Sequence, residues 1–294
     1  MKVDKNKMIE IVKYDNIELM KGDCLDAMKV LEDNSIDAVI CDPPYGTTSC
    51  KWDSIIDLDL MWEELNRVIK PTGAIVLFAQ QPFSSVLLVS NVKNFRHRFL
   101  WEKDKCANFM VAKAQPLKYT EDILVFCNVG FLKNQFGKPT GTYNPQMRNG
   151  KGNDRDLEKI VDKSKNLDDI DKRDNPTRLK LSNNSAKQRF PKDVLNITTQ
   201  HKRVHPTQKP LELMRYLINT YTNKGETVLD FTMGSGSTIV ACVETERNGI
   251  GIERNDEYFN IAKKRVEEKK KKKKIMSHQL YLMHKIKHLH TTKG

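Results

Sequence analysis

The feature that most constrains the fold is a repeated alternation between short apolar segments and longer amphipathic ones. Six segments are predicted to be buried strands and five to be helices: strands over 17–21, 36–41, 73–79, 122–128, 227–231 and 249–253, and helices over 25–32, 58–70, 210–222, 237–246 and 256–268. Strands that alternate with helices in this way build a mostly parallel sheet with helices on both faces. The sequence therefore predicts an α/β fold of the doubly wound type. A further strand over 94–101 is expected to pair with 122–128.

A short rigid motif follows the second of these strands. The run Asp42-Pro43-Pro44-Tyr45 comes directly after the apolar segment 36–41. Proline has no backbone N–H and a fixed φ, so the two prolines hold carbonyl acceptors in a stiff turn beside the carboxylate. Tyr45 adds a flat ring on which a planar heterocycle can stack. These residue types in this order predict a site for an exocyclic amine on a nucleobase.

A second motif joins a strand to a helix through glycines. In the run 230–238 an acid, Asp230, closes the strand, and Gly234 and Gly236 precede the helix. Glycine lets a ligand approach the backbone closely, and a helix start offers unpaired N–H groups. Glu253 closes the next strand, where an acid can bind ribose hydroxyls. The spacing departs from the G-x-G-x-x-G fingerprint, so a nicotinamide cofactor is disfavoured.

Two more segments complete a set of four motifs. Gly22-Asp23-Cys24-Leu25 follows the first strand, and His205-Pro206-Thr207-Gln208-Lys209-Pro210 precedes the helix over 210–222. Together the four motifs resemble those of the amino-methylating DNA methyltransferases that use S-adenosyl-L-methionine (AdoMet). Their order, with the catalytic motif ahead of the cofactor loop, resembles the circularly permuted β group of that family. The match covers roughly residues 15 to 132 and 200 to 265.

The resemblance implies a sheet of the AdoMet-dependent methyltransferase type and a role for each motif. It assigns the catalytic amine-binding site to Asp42, Pro43, Pro44 and Tyr45. It assigns AdoMet binding to a larger set: Asp23, His205, Thr207, Lys209, Asp230, Phe231, Gly234, Gly236, Ser237, Thr238 and Glu253. AdoMet is the expected cofactor, and no metal is expected because the sulfonium already carries an activated methyl group.

The resemblance also divides the chain into parts. Residues 1–132 are expected to form the catalytic half of the methyltransferase domain and residues 205–268 its AdoMet-binding half. Between them, residues 133–204 are rich in Asn, Lys, Asp and Arg, which predicts a polar, partly flexible target-recognition insertion. Residues 269–294 open with the lysine run 269–274 and are expected to be a disordered basic tail.

The implied activity is methylation of adenine N6 in double-stranded DNA. An aspartate at the first motif position, here Asp42, usually accompanies adenine in this family, whereas serine is commoner in enzymes for cytosine N4. Cytosine N4 is therefore the alternative, and methylation of RNA or of a protein glutamine is a more distant one. A binding protein without turnover is disfavoured because all four motifs are present together.

Composition limits the partners and the cellular compartment that are expected for this protein. The formal net charge of +12 favours a polyanionic partner, although the lysine run accounts for part of it. The six cysteines show no C-x-x-C spacing, which disfavours zinc and predicts reduced thiols in the cytoplasm. No early apolar run is long enough for a secretion signal or a membrane span, so no membrane partner is expected. The sequence leaves open whether the protein forms a homodimer and whether a companion restriction enzyme accompanies it.

Overall fold

The computed structural model describes residues 9–46, 54–106, 108–131, 140–149, 188–199 and 208–291. Two compact units are present, one comprising Met1–Asn144 and Asp193–Gly294 and the other Pro145–Lys192. Most of the predicted target-recognition insertion lies outside the described residues, and so do His205 and Thr207. No described helix is both long and apolar enough to span a bilayer.

The described residues contain eleven strands and six α-helices. The strands are β1 Glu10–Tyr14, β2 Ile17–Lys21, β3 Ile36–Cys41, β4 Ile69–Ala79, β5 Phe95–Glu102, β6 Thr120–Cys127, β7 Arg148–Asn149, β8 Gln188–Arg189, β9 Val194–Asn196, β10 Thr227–Asp230 and β11 Asn248–Glu253. The helices are α1 Cys24–Met28, α2 Leu58–Val68, α3 Phe83–Ser90, α4 Leu211–Tyr221, α5 Ser237–Thr245 and α6 Asp256–Thr291. Short 3₁₀ turns span Val92–Asn94 and Phe109–Val111.

Nine of these strands form one sheet in the order β1-β2-β11-β10-β3-β4-β6-β5-β9. The central strands β2, β11, β10, β3 and β4 run parallel to one another. β6 runs antiparallel to both β4 and β5, and β1 runs antiparallel to β2. In the second unit, β7 and β8 pair as a separate antiparallel ribbon. The doubly wound, mostly parallel sheet is confirmed, and so is the pairing of the strand near 94–101 with 122–128.

The crossovers through α2 and α5 leave the middle of the sheet in opposite directions. The unit β10-α5-β11 moves toward β2, whereas β3-α2-β4 moves toward β6. β10 and β3 are neighbours, so strand order reverses between them, and ligands of such sheets bind beyond the carboxyl ends at this point. Asp230 is the last residue of β10, and Asp42 follows β3 directly. The fold thus brings two distant motifs to one edge.

Residues along each central strand point alternately to two hydrophobic cores, as the two-residue period of a strand requires. Ile40 and Val76 face the core under α4, α5 and the first turns of α6, whereas Val39 and Ile75 face the core under α1, α2 and α3. Helix α2 shows why these segments are helical. Its buried residues Met61, Trp62, Leu65 and Val68 form one stripe, and the Asp57 carboxylate caps its first turn by accepting the Asp59 and Leu60 N–H groups.

The last helix is longer than the sequence predicts. We expect a helix over 256–268 and a disordered tail over 269–294, but α6 continues to Thr291. Lysine and glutamate favour helices, and no glycine or proline interrupts this stretch before Gly294. Contacts with the main domain also hold it, because the Lys270 ammonium lies 2.8 Å from the Asp15 carboxylate and Lys273 donates to the Val243 carbonyl at 2.8 Å. The expectation of a disordered tail is therefore wrong over the described part.

Candidate active site

A cavity of about 600 Å³ opens at the carboxyl edge of the parallel strands. The turns after β2, β3, β10 and β11 contribute residues 22–25, 42–45, 231–235 and 254 to its lining. Most of the site residues predicted from the sequence line it: Asp23, Asp42, Pro43, Pro44, Tyr45, Lys209, Asp230, Phe231, Gly234, Ser237, Thr238 and Glu253. Gly236 does not, and His205 and Thr207 lie outside the described residues. One cavity therefore joins the two principal motifs.

The glycine turn before α5 shapes one end of the cavity. Gly234 has φ +50°, and a Cβ built on it would meet no atom within 4 Å, so its backbone is open to a ligand. Gly236 has φ +78°, and a Cβ there would lie 2.9 Å from the Cβ of Ala262 on α6. Gly236 thus permits close packing of the turn against α6, and Gly234 leaves room for a bound group.

Three acids, Asp23, Asp230 and Glu253, line the same cavity. Glu253 accepts the Gly234 N–H at 2.9 Å and the Asn255 N–H at 2.7 Å, and burial raises the pKa of this carboxyl. Asp230 is almost fully buried, and desolvation raises its pKa to about 7. Asp23 caps α1 by accepting the Leu25 N–H at 3.0 Å. An open glycine backbone with acids beside it fits the ribose hydroxyls and the amino group of AdoMet.

A charged cluster around the buried residues Lys209 and Glu121 occupies the other end of the cavity. The Lys209 ammonium lies 2.8 Å from the Asp42 carboxylate and 2.5 Å from that of Glu121. The Lys103 ammonium lies 2.6 Å from the second oxygen of Glu121. The Tyr45 hydroxyl contacts the Asp42 carboxylate and lies 3.0 Å from Glu121 Oε1. A phenol has one proton, so Tyr45 can donate to only one of these two acids at a time.

The two acids of the cluster differ in their tendency to hold a proton. Burial is the largest influence on Asp42 and raises its pKa; the attraction of Lys209 opposes this shift and the charge of Glu121 adds to it. Burial also acts to raise the pKa of Glu121, but Lys209 and Lys103 together outweigh it and bring that pKa to about 2. Glu121 therefore stays charged, and Asp42 is the acid closer to titration.

Contacts with the turn after β10 and with α3 fix the turn that carries Asp42 and Tyr45. The Thr232 hydroxyl, in the turn after β10, donates to the Asp42 carbonyl at 3.0 Å and lies 2.9 Å from the Cys41 sulfur. The Tyr45 ring stacks on Phe83, with centroids 5.5 Å apart and an interplanar angle of 25°. The turn after β10 and the turn after β3 thus hold each other in place.

Sequence reasoning missed two members of the cluster, Glu121 and Lys103. The predicted strand began at 122, which left Glu121 outside it. The expected antiparallel pairing of 94–101 with 122–128 contained the missing signal, because it brings the end of β5 and the start of β6 to the carboxyl edge of β4. Lys209 is in the cavity as expected, but its ammonium contacts Asp42 and Glu121, whereas the resemblance assigns it to the cofactor.

The doubly wound sheet and this cavity fit an AdoMet-dependent methyltransferase. Residues 36–264 match the model of a family described as DNA methylase, and the chain belongs to this family. It is 28% identical over 263 residues to the type II methyltransferase M.HpaI of Haemophilus parainfluenzae, covering 85% of this chain and 74% of that protein. It is 27% identical to the DNA adenine methyltransferase YhdJ of Escherichia coli (strain K12), covering 85% and 82%.

Solved structures agree with this fold. The crystal structure of the M1.HpyAVI–SAM complex aligns with a TM-score of 0.55 at 24% identity, covering 85% of this chain and 98% of that one. The cytosine-N4-specific PvuII DNA methyltransferase aligns with a TM-score of 0.59 at 15% identity, covering 85% and 86%. The resemblance to the amino-methylating DNA methyltransferases is confirmed, and AdoMet is the cofactor of this enzyme.

Proposed function

We propose that the enzyme methylates the N6 amino group of adenine in double-stranded DNA. The observation that carries this proposal is the Asp42 carboxylate, which Lys209 and Tyr45 hold in the cavity that also contains the glycine turn. An aspartate at this position favours adenine by family resemblance, and YhdJ, a relative over most of the chain, is named an adenine methyltransferase. Cytosine N4 is the second candidate, supported by the structural likeness to PvuII methyltransferase.

The first task of the site is to make an aromatic amine nucleophilic. The lone pair of such an amine is delocalised into the ring, and the nitrogen gains positive charge as it forms its new bond. In our proposal the Asp42 carboxylate and the Pro43 carbonyl accept the two N–H bonds of the amine and stabilise that charge. AdoMet, when bound, supplies the electrophilic methyl group.

The cluster lets Asp42 accept a new partner without leaving a buried group unsatisfied. In the structure, one oxygen of Asp42 accepts from Tyr45 and the other contacts Lys209. If the incoming amine takes the place of the Tyr45 hydroxyl on Asp42, that hydroxyl can turn to Glu121, which is 3.0 Å away. An orphaned buried donor would cost about 1–3 kcal/mol, so this exchange lowers the cost of binding the base.

The proton released after methylation has a suitable acceptor in the same residue. Because burial and Glu121 raise the pKa of Asp42, its carboxylate binds a proton more readily than an exposed aspartate does. This supports Asp42, rather than water, as the first proton acceptor. Lys209 then stays paired with Glu121 when Asp42 becomes neutral.

We assign the opposite end of the cavity to AdoMet. Glu253 is placed to bind the ribose hydroxyls, and the open backbone at Gly234 faces the methionine portion in our assignment. Asp23 and the residues Phe231, Ser237 and Thr238 line the same region and complete the proposed binding set. By family resemblance, His205 and Thr207 join them at the methionine end.

Product analysis tests this function directly. Purified enzyme and methyl-labelled AdoMet are incubated with unmethylated genomic DNA, and the nucleosides are separated by mass spectrometry. We expect label in N6-methyladenine. N4-methylcytosine as the sole product would contradict the choice of base, 5-methylcytosine would contradict the amine mechanism, and no incorporation into duplex DNA would contradict the proposed function.

A further inference from the structure

The loop between β5 and β6, described over residues 103–106 and 108–119, begins beside the cavity. Every residue from 109 to 120 is exposed. Its tip carries large apolar side chains, with Phe109 71% and Met110 88% exposed. A soluble domain seldom presents adjacent large apolar groups so openly unless another molecule covers them.

The loop keeps its shape without burying these side chains. Asn108 closes it, because its side-chain oxygen accepts the Lys118 N–H at 2.7 Å and its side-chain NH₂ donates to the Pro116 carbonyl at 3.2 Å. Within the loop, the Val111 carbonyl accepts the Ala114 N–H at 2.9 Å. Backbone and amide hydrogen bonds therefore define the fold of the loop, and the apolar tip is available for contact.

The base of the loop is part of the cavity wall. Lys105 and Cys106 line the cavity, and the Lys103 N–H donates to the Tyr119 carbonyl at 2.7 Å where the two arms of the loop meet. The ammonium of the same Lys103 contacts Glu121 in the catalytic cluster. The loop that carries the apolar tip thus begins at the wall of the cavity.

The charge of the loop indicates the kind of partner. Residues 103–119 include four lysines and a single acid, Asp104. That acid already accepts hydrogen bonds from the backbone N–H and the hydroxyl of Thr199, both at 2.7 Å. Lys105, Lys113 and Lys118 are exposed, and no described carboxylate lies within ion-pair distance of them. Exposed cations around an apolar tip fit a polyanion with an apolar interior, which describes a DNA duplex.

We propose that this loop faces the duplex and that Phe109 and Met110 enter the base stack where the target nucleotide has left it. A base can reach the buried Asp42 cluster only after it leaves the helix, at a cost on the order of a few kcal/mol. Apolar side chains can insert between base steps, and an aromatic ring such as that of Phe109 that stacks on a neighbouring base recovers part of the lost stacking. The lysines would contact the flanking phosphates. This inference rests on the proposed action on double-stranded DNA.

The test separates entry into the stack from ordinary DNA binding. Once the methylated sequence is mapped, two synthetic duplexes are prepared, one with the target base paired and one with an abasic site opposite it. For the double variant Phe109→Ala/Met110→Ala we expect kcat/KM on the paired duplex to fall by about tenfold or more. The reason is that no large apolar side chain then occupies the space that the flipped nucleotide leaves in the base stack. On the abasic-opposed duplex, the variant should recover nearly the wild-type value.

Val89→Ala is the matched control. Val89 is 72% exposed on α3 and outside the cavity lining, so this variant should behave as wild type on both duplexes. AdoMet titration by calorimetry should show unchanged cofactor binding in all variants. Equal losses on both duplexes, or no loss on either, would overturn the inference, and so would loss of a dimer in sedimentation as the sole effect. Failure of the wild type to methylate any duplex would instead refute the proposed function.

Discussion

The two ends of the cavity are built in different ways. The cofactor end comes mainly from one continuous stretch, 230–238, with Glu253 added from the next strand. The catalytic end gathers Asp42, Lys103, Glu121 and Lys209 from four separate segments and holds them by ion pairs. A site made from one stretch depends on local backbone conformation, whereas a site made from several depends on mutual charge compensation. Substitutions at the two ends should therefore have different effects on activity, on stability and on their pH dependence.

The largest expected effect separates the two ends by role. Asp42→Ala removes the carboxylate that is proposed to accept the amine, so methyl transfer should fall by at least about a thousandfold, as when preorganised transition-state contacts are lost. AdoMet affinity should stay close to wild type, because the cofactor end does not depend on Asp42. Calorimetric titration and a transfer assay measure both. Asp33→Ala, an exposed acid paired with Arg67, is the control. Loss of AdoMet binding in Asp42→Ala would show that the two ends of the cavity do not have separate roles.

The next effect is on stability and tests charge compensation. Lys209→Met leaves Asp42 and Glu121 without the cation they share, and breaking a buried pair in this way costs about 3–5 kcal/mol. The free energy of unfolding from urea titrations measures it. Lys224→Met removes an exposed lysine that pairs with Glu246, and its unfolding curve should overlay that of the wild type. Similar curves for the two variants would show that the cluster does not depend on Lys209.

At the cofactor end, the expected effect is a change in how the free energy of unfolding depends on pH. Burial raises the pKa of Asp230 from 3.8 to about 7, so the folded protein binds a proton that the unfolded chain releases in this window. This contribution to stability is fully present below pH 4 and is lost as the pH rises toward 7. Asp230→Asn should lessen that loss by up to a few kcal/mol. Urea titrations of AdoMet-free protein at pH 4, 5.5 and 7 measure it, and an unchanged pH dependence would contradict the prediction.

The smallest effect concerns the electrostatic linkage between Asp42 and Glu121. Glu121→Gln removes a negative charge near Asp42 and so lowers the pKa of Asp42, which must be ionised to accept the amine. The acidic limb of the pH profile of kcat/KM should move to lower pH, while the maximum rate drops on the order of tenfold because Tyr45 loses its charged second acceptor. A pH profile with an unmoved acidic limb would show that Asp42 does not sense Glu121.

The contrast between the two ends also explains what could be predicted from the sequence. The acid and the glycines of the stretch 230–238 lie close together in the sequence, so this motif is recognisable locally. Asp42 follows a recognisable buried strand, so both motifs and the parallel sheet were predictable. Glu121 and Lys103 have no local signature, because their role arises from the antiparallel placement of β5 and β6. The continuation of α6 past Glu268 was also missed. A lysine run by itself predicts a solvated, disordered segment, and the contacts with Asp15 and the Val243 carbonyl that hold this one as a helix are not visible in the sequence.

The order of strands has a consequence for the synthesis of this chain. β2 and β3 follow each other in sequence, yet β11 and β10 lie between them in the sheet. A ribosome therefore releases both early strands long before these two neighbours exist. One edge of β3 stays unpaired until Asp230, the end of β10, has emerged, and one edge of β2 stays unpaired until Glu253, the end of β11, has emerged. Such edges invite association with other chains. Because the central pairings close only after β10 and β11 have emerged, we expect the nascent protein to depend on chaperones until then and to gain its core in one late step.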